Sequence, residues 1–219
     1  MPHLEPVELP RACILHGAGD QESCLYFLTA GLVSRIYVTQ DGGSAEFAIT
    51  GREGVIGIAS LLGGRSTPSQ AVVLRAGYAY RLAMDLLKDD LERNGPLTRM
   101  LLRYTQALIA QTGQIAACNR HHSLEQRLCR WILSCLDRLG SNQLVVTQDF
   151  IARLLGVRRQ GVTHAAGKLQ EAGAIRYSRG RIVVLDRARL EAQVCECYAV
   201  VKREYDRLLP EHERAEVAC

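Results

Sequence analysis

The 219-residue chain contains no apolar run long enough to cross a bilayer, and its longest uncharged stretch, residues 104–119, is interrupted by Gln, Thr, Gly and Asn. Its opening, MPHLEPVELPRACILHG, lacks the basic segment followed by an apolar one that marks a secretory signal. These two absences argue against a membrane span or an export route, and a cytoplasmic location is expected. Also missing are a P-loop, a dinucleotide-binding glycine fingerprint and any nucleophile–base pairing motif, so no enzyme and no cofactor are expected. The chain shows no internal repeat and no low-complexity tract.

Cysteine is not scarce. The eight cysteines, at positions 13, 24, 118, 129, 135, 195, 197 and 219, are scattered through a chain without an export signal. That favours reduced thiols, several of them serving as small core residues, over a disulfide framework. With 47% apolar residues the chain can bury one or two ordinary cores. Its net charge of +4 is unevenly spread: residues 144–189 carry nine basic and three acidic side chains, whereas 1–97 and 190–219 are each net acidic by three. A basic block is the expected footprint for a polyanion; a solvated basic face is the alternative that charge alone leaves open.

From about residue 12 to 83, short apolar runs are punctuated by glycine, the pattern of a small antiparallel barrel or sandwich. Asp41-Gly42-Gly43 signals a hairpin, because glycine supplies the positive φ that tight turns need. Beyond about residue 84 helical periodicity takes over, with Asn94 as the expected N-cap and Pro96 in the first turn. Leu97, Leu101, Tyr104, Leu108, Gln111, Ile115 and Cys118 share one stripe of that helix. A long stripe with few charges asks for a partner helix, so a two-fold dimer seam is expected, with an intrachain core helix as the alternative. Ser123 and Gln126 form a capping box for a second helix, which Gly140 ends.

The basic block has the most specific organisation. Thr147 caps a short helix whose Phe150, Ile151, Leu154 and Leu155 face inward, and Gly156 makes a turn. A second helix then runs from about residue 158 to 172, burying Val162, Ala165, Ala166 and Leu169. Arg159, Gln160, Thr163, His164, Gly167 and Lys168 look outward, beside Arg158 at the helix start. Near the N-terminus of a recognition helix, arginine suits guanine and glutamine suits adenine. Gly161 would let backbone approach DNA. AIRYS and RIVVLD flank Arg179-Gly180 as a two-stranded wing, with Arg176, Arg179 and Arg181 as phosphate contacts. Helix, glycine turn, helix and basic hairpin in this order indicate a winged helix-turn-helix over about 144–187. Two core helices beside an exposed hairpin are the structural alternative.

The stretch TQDFIARLLGVRRQGVTHAAGKLQEAGAIRYSRGRIVVLDRARLE resembles the DNA-binding domain of the Crp/Fnr superfamily of bacterial transcription regulators. GLVSRIYVTQDGG and ITGREGVIGIASLLGG resemble that superfamily's cyclic-nucleotide-binding-like β-roll. The resemblance implies an α+β protein with a jelly-roll-like β-roll over 1–95, a dimerisation helix over 96–119, and a winged helix-turn-helix with a helical extension over 120–219. It further implies a homodimer on a palindromic promoter site, with double-stranded DNA and RNA polymerase as partners and an effector of unknown identity. The family's base-reading positions fall on Arg159, Gln160 and His164, where many members carry arginine, glutamate and arginine. Arg158 replaces a capping serine, so that helix start should lack a side-chain cap. Members that bind cyclic nucleotides place a glutamate after the cassette glycine and an arginine before a serine or threonine. Here Gly57 is followed by Ile58 and Ala59, and the arginine position falls near Pro68-Ser69, so cyclic AMP is not the expected effector. A shorter loop alignment would bring Arg65 into that role.

Cys13 and Cys24 are too few and too far apart for the iron-sulfur cluster of oxygen-sensing members, and His16, His121 and His122 have no haem motif around them. Cys195 and Cys197 lie in the extension, where Leu190, Val194, Cys197, Tyr198, Val201, Tyr205 and Leu208 trace a helical stripe. Two residues apart on a helix they point away from each other, so core packing is expected of Cys197 and no metal site. A redox or metal role for the pair is the alternative. The extension is expected to pack on the DNA-binding domain or on a dimer partner. The competing function is a redox or small-molecule sensor acting through a protein partner.

Overall fold

The computed structural model describes residues 3–209. Six antiparallel strands form the N-terminal sheet: β1 (Glu5–Leu9), β2 (Ile14–His16), β3 (Cys24–Val38), β4 (Ser44–Thr50), β5 (Val55–Ile56) and β6 (Ser69–Ala83). The main order is β1-β6-β3-β4, with β2 on β6 and β5 on β3. β3 and β6 are long enough to roll over themselves, and register shifts at Ala30 and Leu32 give the bend. Leu9, Leu28, Val33, Ile56, Ala71 and Val73 fill the roll. Gly57, at φ +99°, turns the chain from β5 into the short helix α1 (Ile58–Leu61). A Cβ there would stand 2.1 Å from the Cys24 carbonyl oxygen, so only glycine fits.

A 3-10 turn and α2 (Lys88–Glu92) lead to the long α3 (Pro96–His121). Its N-cap is Gly95; the expected Asn94 instead sits at φ +48°, outside the helix. The cap comes from Asp90, whose carboxylate accepts from the Thr98 N–H at 2.8 Å and its hydroxyl at 2.6 Å. α4 (Leu124–Leu139) begins with the expected Ser123–Gln126 capping box and ends at Gly140 in the left-handed region. Then follow β7 (Gln143–Val145), α5 (Gln148–Leu155), α6 (Arg159–Glu171), β8 (Ile175–Ser178), β9 (Arg181–Val184), α7 (Arg187–Gln193) and α8 (Cys197–Leu208). The second sheet has the order β7-β9-β8, adding a strand to the expected hairpin.

One core joins Leu32, Ile36 and Ile49 of the roll, through Trp131 and Ile132 of α4, to Ile151, Val162, Leu169 and Ile182 of the C-terminal domain. A second joins Leu25, Val55 and Leu82 to Leu101, Tyr104 and Leu108 of α3 and to Val201 and Tyr205 of α8. The α3 stripe read as a dimer seam is therefore covered within the chain. Tyr104 meets Thr50 at 3.2 Å, and the Tyr205 hydroxyl donates to Gln111 Oε1 at 3.0 Å. The physical reason is α8, which folds back mainly onto α3 and also reaches α4 of the DNA-binding domain, where the Tyr198 hydroxyl donates to Asp137 Oδ2 at 2.7 Å. The C-terminal extension is also not one helix: Val194 and Cys195 lie between α7 and α8, so Cys195 and Cys197 are not constrained to opposite helical faces. Cys219 lies outside the described residues.

Candidate nucleic-acid interface

Local chemistry fixes the helix-turn-helix. The Thr147 hydroxyl accepts from the Phe150 N–H at 3.2 Å, and Gly156, at φ +64°, ends α5. Val162, Ala165, Ala166 and Leu169 bury one side of α6 against α4 and α5. Arg158 is the N-cap and makes no side-chain cap bond, as its substitution for a capping serine requires.

Burial on the inner side leaves Arg158, Arg159, Gln160, Thr163, His164 and Lys168 exposed on α6 and its start. Arg159 lies 3.6 Å from Asp149, and both side chains are about two-thirds exposed. Such a pair is worth at most about 1 kcal/mol and gives way readily to a phosphate or a base edge. Lys168 is more firmly held, 2.6 Å from Glu125 of α4. Thr163 donates to Gln148 Oε1 at 2.7 Å, which ties the first turn of α5 to the recognition face. Gln148 was not singled out from the sequence, because its place beside Thr163 depends on how the two helices cross. A Cβ at Gly161 would lie 2.9 Å from Leu124 Cδ2, so the glycine also makes room for α4.

In the wing, Arg179 and Gly180 both have positive φ, 49° and 71°, the geometry of a two-residue hairpin turn. Arg176, Arg179 and Arg181 are exposed. The Tyr177 hydroxyl donates to the Val146 carbonyl at 2.7 Å and its N–H donates to Gln170 Oε1, which pins the wing to β7's end and to α6.

In the roll, the residues directly after Gly57, from Ile58 to Gly64, carry no cationic side chain. The Glu22 carboxylate is buried there and accepts from the Ala59 N–H at 2.8 Å, with His16 Nε2 at 3.2 Å from its other oxygen. Arg65, the one arginine of the loop, is exposed in a left-handed turn, and its carbonyl accepts from the Glu22 N–H. Burial pushes the Cys195 thiol up to about 12 and raises Cys197 as well. Neither is the lowered, exposed thiolate of a redox sensor. No described helix is long and apolar enough to cross a membrane.

Comparison with known proteins agrees in both halves. Residues 6–94 match the cyclic nucleotide-binding domain and residues 126–193 the Crp-like helix-turn-helix domain. The chain is 24% identical over 194 residues to a CRP-like cAMP-activated global transcriptional regulator of Mycobacterium tuberculosis, covering 85% of this chain and 87% of that protein. It is 24% identical over 184 residues to a global nitrogen regulator of Synechococcus elongatus, covering 80% and 83%. Among solved structures, FixK2 from Bradyrhizobium japonicum superposes with a TM-score of 0.75 at 17% identity, over 88% of this chain and 98% of that one. A Crp/Fnr-family regulator from Eubacterium rectale superposes at 0.72 and 17% identity, over 88% and 90%.

Proposed function

Because the chain belongs to the Crp/Fnr family of transcription regulators, we propose that it acts as a homodimer that reads a palindromic promoter site through α6. One observation carries this reading: Arg159, Gln160 and His164 form an exposed row at the N-terminal end of a helix whose other face is fully packed. Bases are read by Arg159 and Gln160, each good bidentate contact giving about 1–3 kcal/mol of discrimination. Thr147, Arg158, Thr163, His164 and Lys168 border that contact, and Arg176, Arg179 and Arg181 hold phosphates from the wing.

The dimer seam we assign is the face of α3 that the chain leaves uncovered. Leu102, Gln106, Ile109, Gly113 and Ala116 recur at alternating steps of four and three, with Leu102 50% and Ile109 60% exposed. Small residues at Gly113 and Ala116 allow two helices to approach closely. The effector is not a cyclic nucleotide, since a phosphate entering beside Ala59 would meet the Glu22 carboxylate, while Arg65, the arginine of that loop, is exposed to solvent. RNA polymerase is the further partner this reading requires.

Fluorescence anisotropy on matched and mismatched duplexes tests it. Arg159→Ala and Gln160→Ala should each narrow the gap between the two duplexes, whereas Arg179→Ala should weaken both alike and reduce the salt slope by about one. Unchanged discrimination in Arg159→Ala would refute the assignment.

A further inference from the structure

The last turn of α3 and the break between α7 and α8 bring together four side chains that the DNA-reading function does not use. Cys118 and His122 are one turn apart at the end of α3; Cys195 precedes α8 and Cys197 begins it. The three cysteines are buried, at 0%, 3% and 0% exposure, and form a cluster separate from every apolar core. Their sulfurs and one histidine nitrogen all lie within 4.8 Å of one another. Cys118 Sγ is 3.6 Å from Cys195 Sγ, and Cys197 Sγ is 3.4 Å from His122 Nδ1.

These two separations are close to two edges of a tetrahedron around one ion, and all four ligand atoms lie within 4.8 Å of one another. With metal–sulfur bonds of about 2.3 Å and a metal–nitrogen bond of about 2.05 Å, a tetrahedral site has edges of about 3.8 Å between sulfurs and about 3.6 Å between sulfur and nitrogen. A polynuclear iron-sulfur cluster would spread its ligands over several irons. The outer contacts fit as well. His122 presents Nδ1 to the sulfurs and places Nε2 3.3 Å from Glu196 Oε1, the carboxylate behind a ligating imidazole that orients the ring. Gln114 Nε2 approaches Cys197 Sγ to 3.1 Å as a donor, and Arg127 lies near enough to Cys118 for their charges to interact. Three thiolates and a neutral imidazole on a divalent ion leave one net negative charge, which the Arg127 guanidinium offsets and the Gln114 amide stabilises as a hydrogen-bond donor to Cys197 Sγ.

We propose that Cys118, His122, Cys195 and Cys197 form a closed, structural site for a borderline-soft divalent cation, Zn2+ by ligand softness and geometry. Binding exchanges three thiol protons, released to solvent, for three metal–sulfur bonds. The ion fastens the end of α3 to the junction of α7 and α8, and so sets how the C-terminal helices sit against the long helix. The inference does not rest on DNA binding.

The test uses the full chain, freed of metal and titrated anaerobically with Zn2+ against a chromophoric chelator, then with Co2+. One Zn2+ per chain is expected, with Co2+ giving tetrahedral ligand-field bands and thiolate-to-metal charge transfer. Cys195→Ser and Cys197→Ser should abolish the charge-transfer pattern of three sulfurs, while Cys13→Ser leaves it intact. Glu196→Ala changes an exposed side chain and should fold normally, yet weaken Zn2+ about 10- to 100-fold. No stoichiometric binding, binding indifferent to Cys195→Ser and Cys197→Ser, a Cys118–Cys195 disulfide in place of the metal, or iron with a cluster absorbance would each overturn the proposal.

Discussion

Glu46 offers a stability measurement whose sign and size follow from its surroundings. The side chain, 5% exposed, points from β4 toward α4, where the Ser34 hydroxyl donates to it and Arg130 and Arg138 supply positive potential. Burial outweighs these favourable contacts and pushes its pKa up to about 7, from an ordinary 4.5. A carboxyl raised by folding contributes stability that is fully present below the unfolded value and lost as pH rises through the folded value. At about 1.36 kcal/mol per unit, the contribution falls by roughly 2.5 kcal/mol between pH 5 and pH 8. Glu46→Gln retains the shape and an acceptor for Ser34 but cannot ionise. Urea unfolding of both proteins at pH 5, 6, 7 and 8 should show the variant gaining on the parent by on the order of 2–3 kcal/mol across that range. Parallel stability curves over pH 5–8 would refute the argument, because they would mean that Glu46 binds no extra proton on folding.

Ile109→Glu puts a charge at the centre of the uncovered α3 face, 60% exposed within one chain, so sedimentation should report monomers with unchanged helix content. A variant that still dimerises would place the seam elsewhere. Tyr177→Phe removes the hydroxyl that holds the wing to the Val146 carbonyl and should cost about 0.5–1.5 kcal/mol in unfolding free energy, with DNA affinity reduced equally for all sequences. Cyclic AMP at millimolar concentration should leave the melting temperature unchanged, since only a ligand that binds the folded state raises it; an upward shift would contradict the role given to Glu22.

Most parts of the fold that depend on neighbouring residues were legible in the sequence, the start of α3 excepted, where Asp90 supplies the cap expected of Asn94. The Ser123–Gln126 box, the Thr147 cap, the turns at Gly140 and Gly156 and the wing turn at Arg179-Gly180 each need only a few adjacent side chains, and all stand where the pattern puts them. What was not legible depends on packing between distant segments. The apolar stripe of α3 looked like an interface because nothing in its own residues reveals that Val201 and Tyr205, far along the chain, cover it. The face left open carries Gly113 and Ala116 and so attracts no notice in a hydrophobicity pattern. The packing role of Gly161 was hidden for the same reason, its neighbour Leu124 being on another helix. The α7–α8 break contains neither glycine nor proline, so Cys195 and Cys197 read as one continuous helix, and their approach to Cys118 and His122 was invisible.

The central claim is that this chain reads DNA sequence through α6 as a two-fold dimer. Selection of bound duplexes from a random pool by the purified protein, with sequencing of what is retained, tests it most directly. The account predicts an inverted repeat with half-sites about one helical turn, roughly 34 Å, apart, and loss of preference at defined positions of each half-site in Arg159→Ala. Salt-sensitive retention with no enriched motif, or an enriched motif that Arg159→Ala selects equally well, would contradict it.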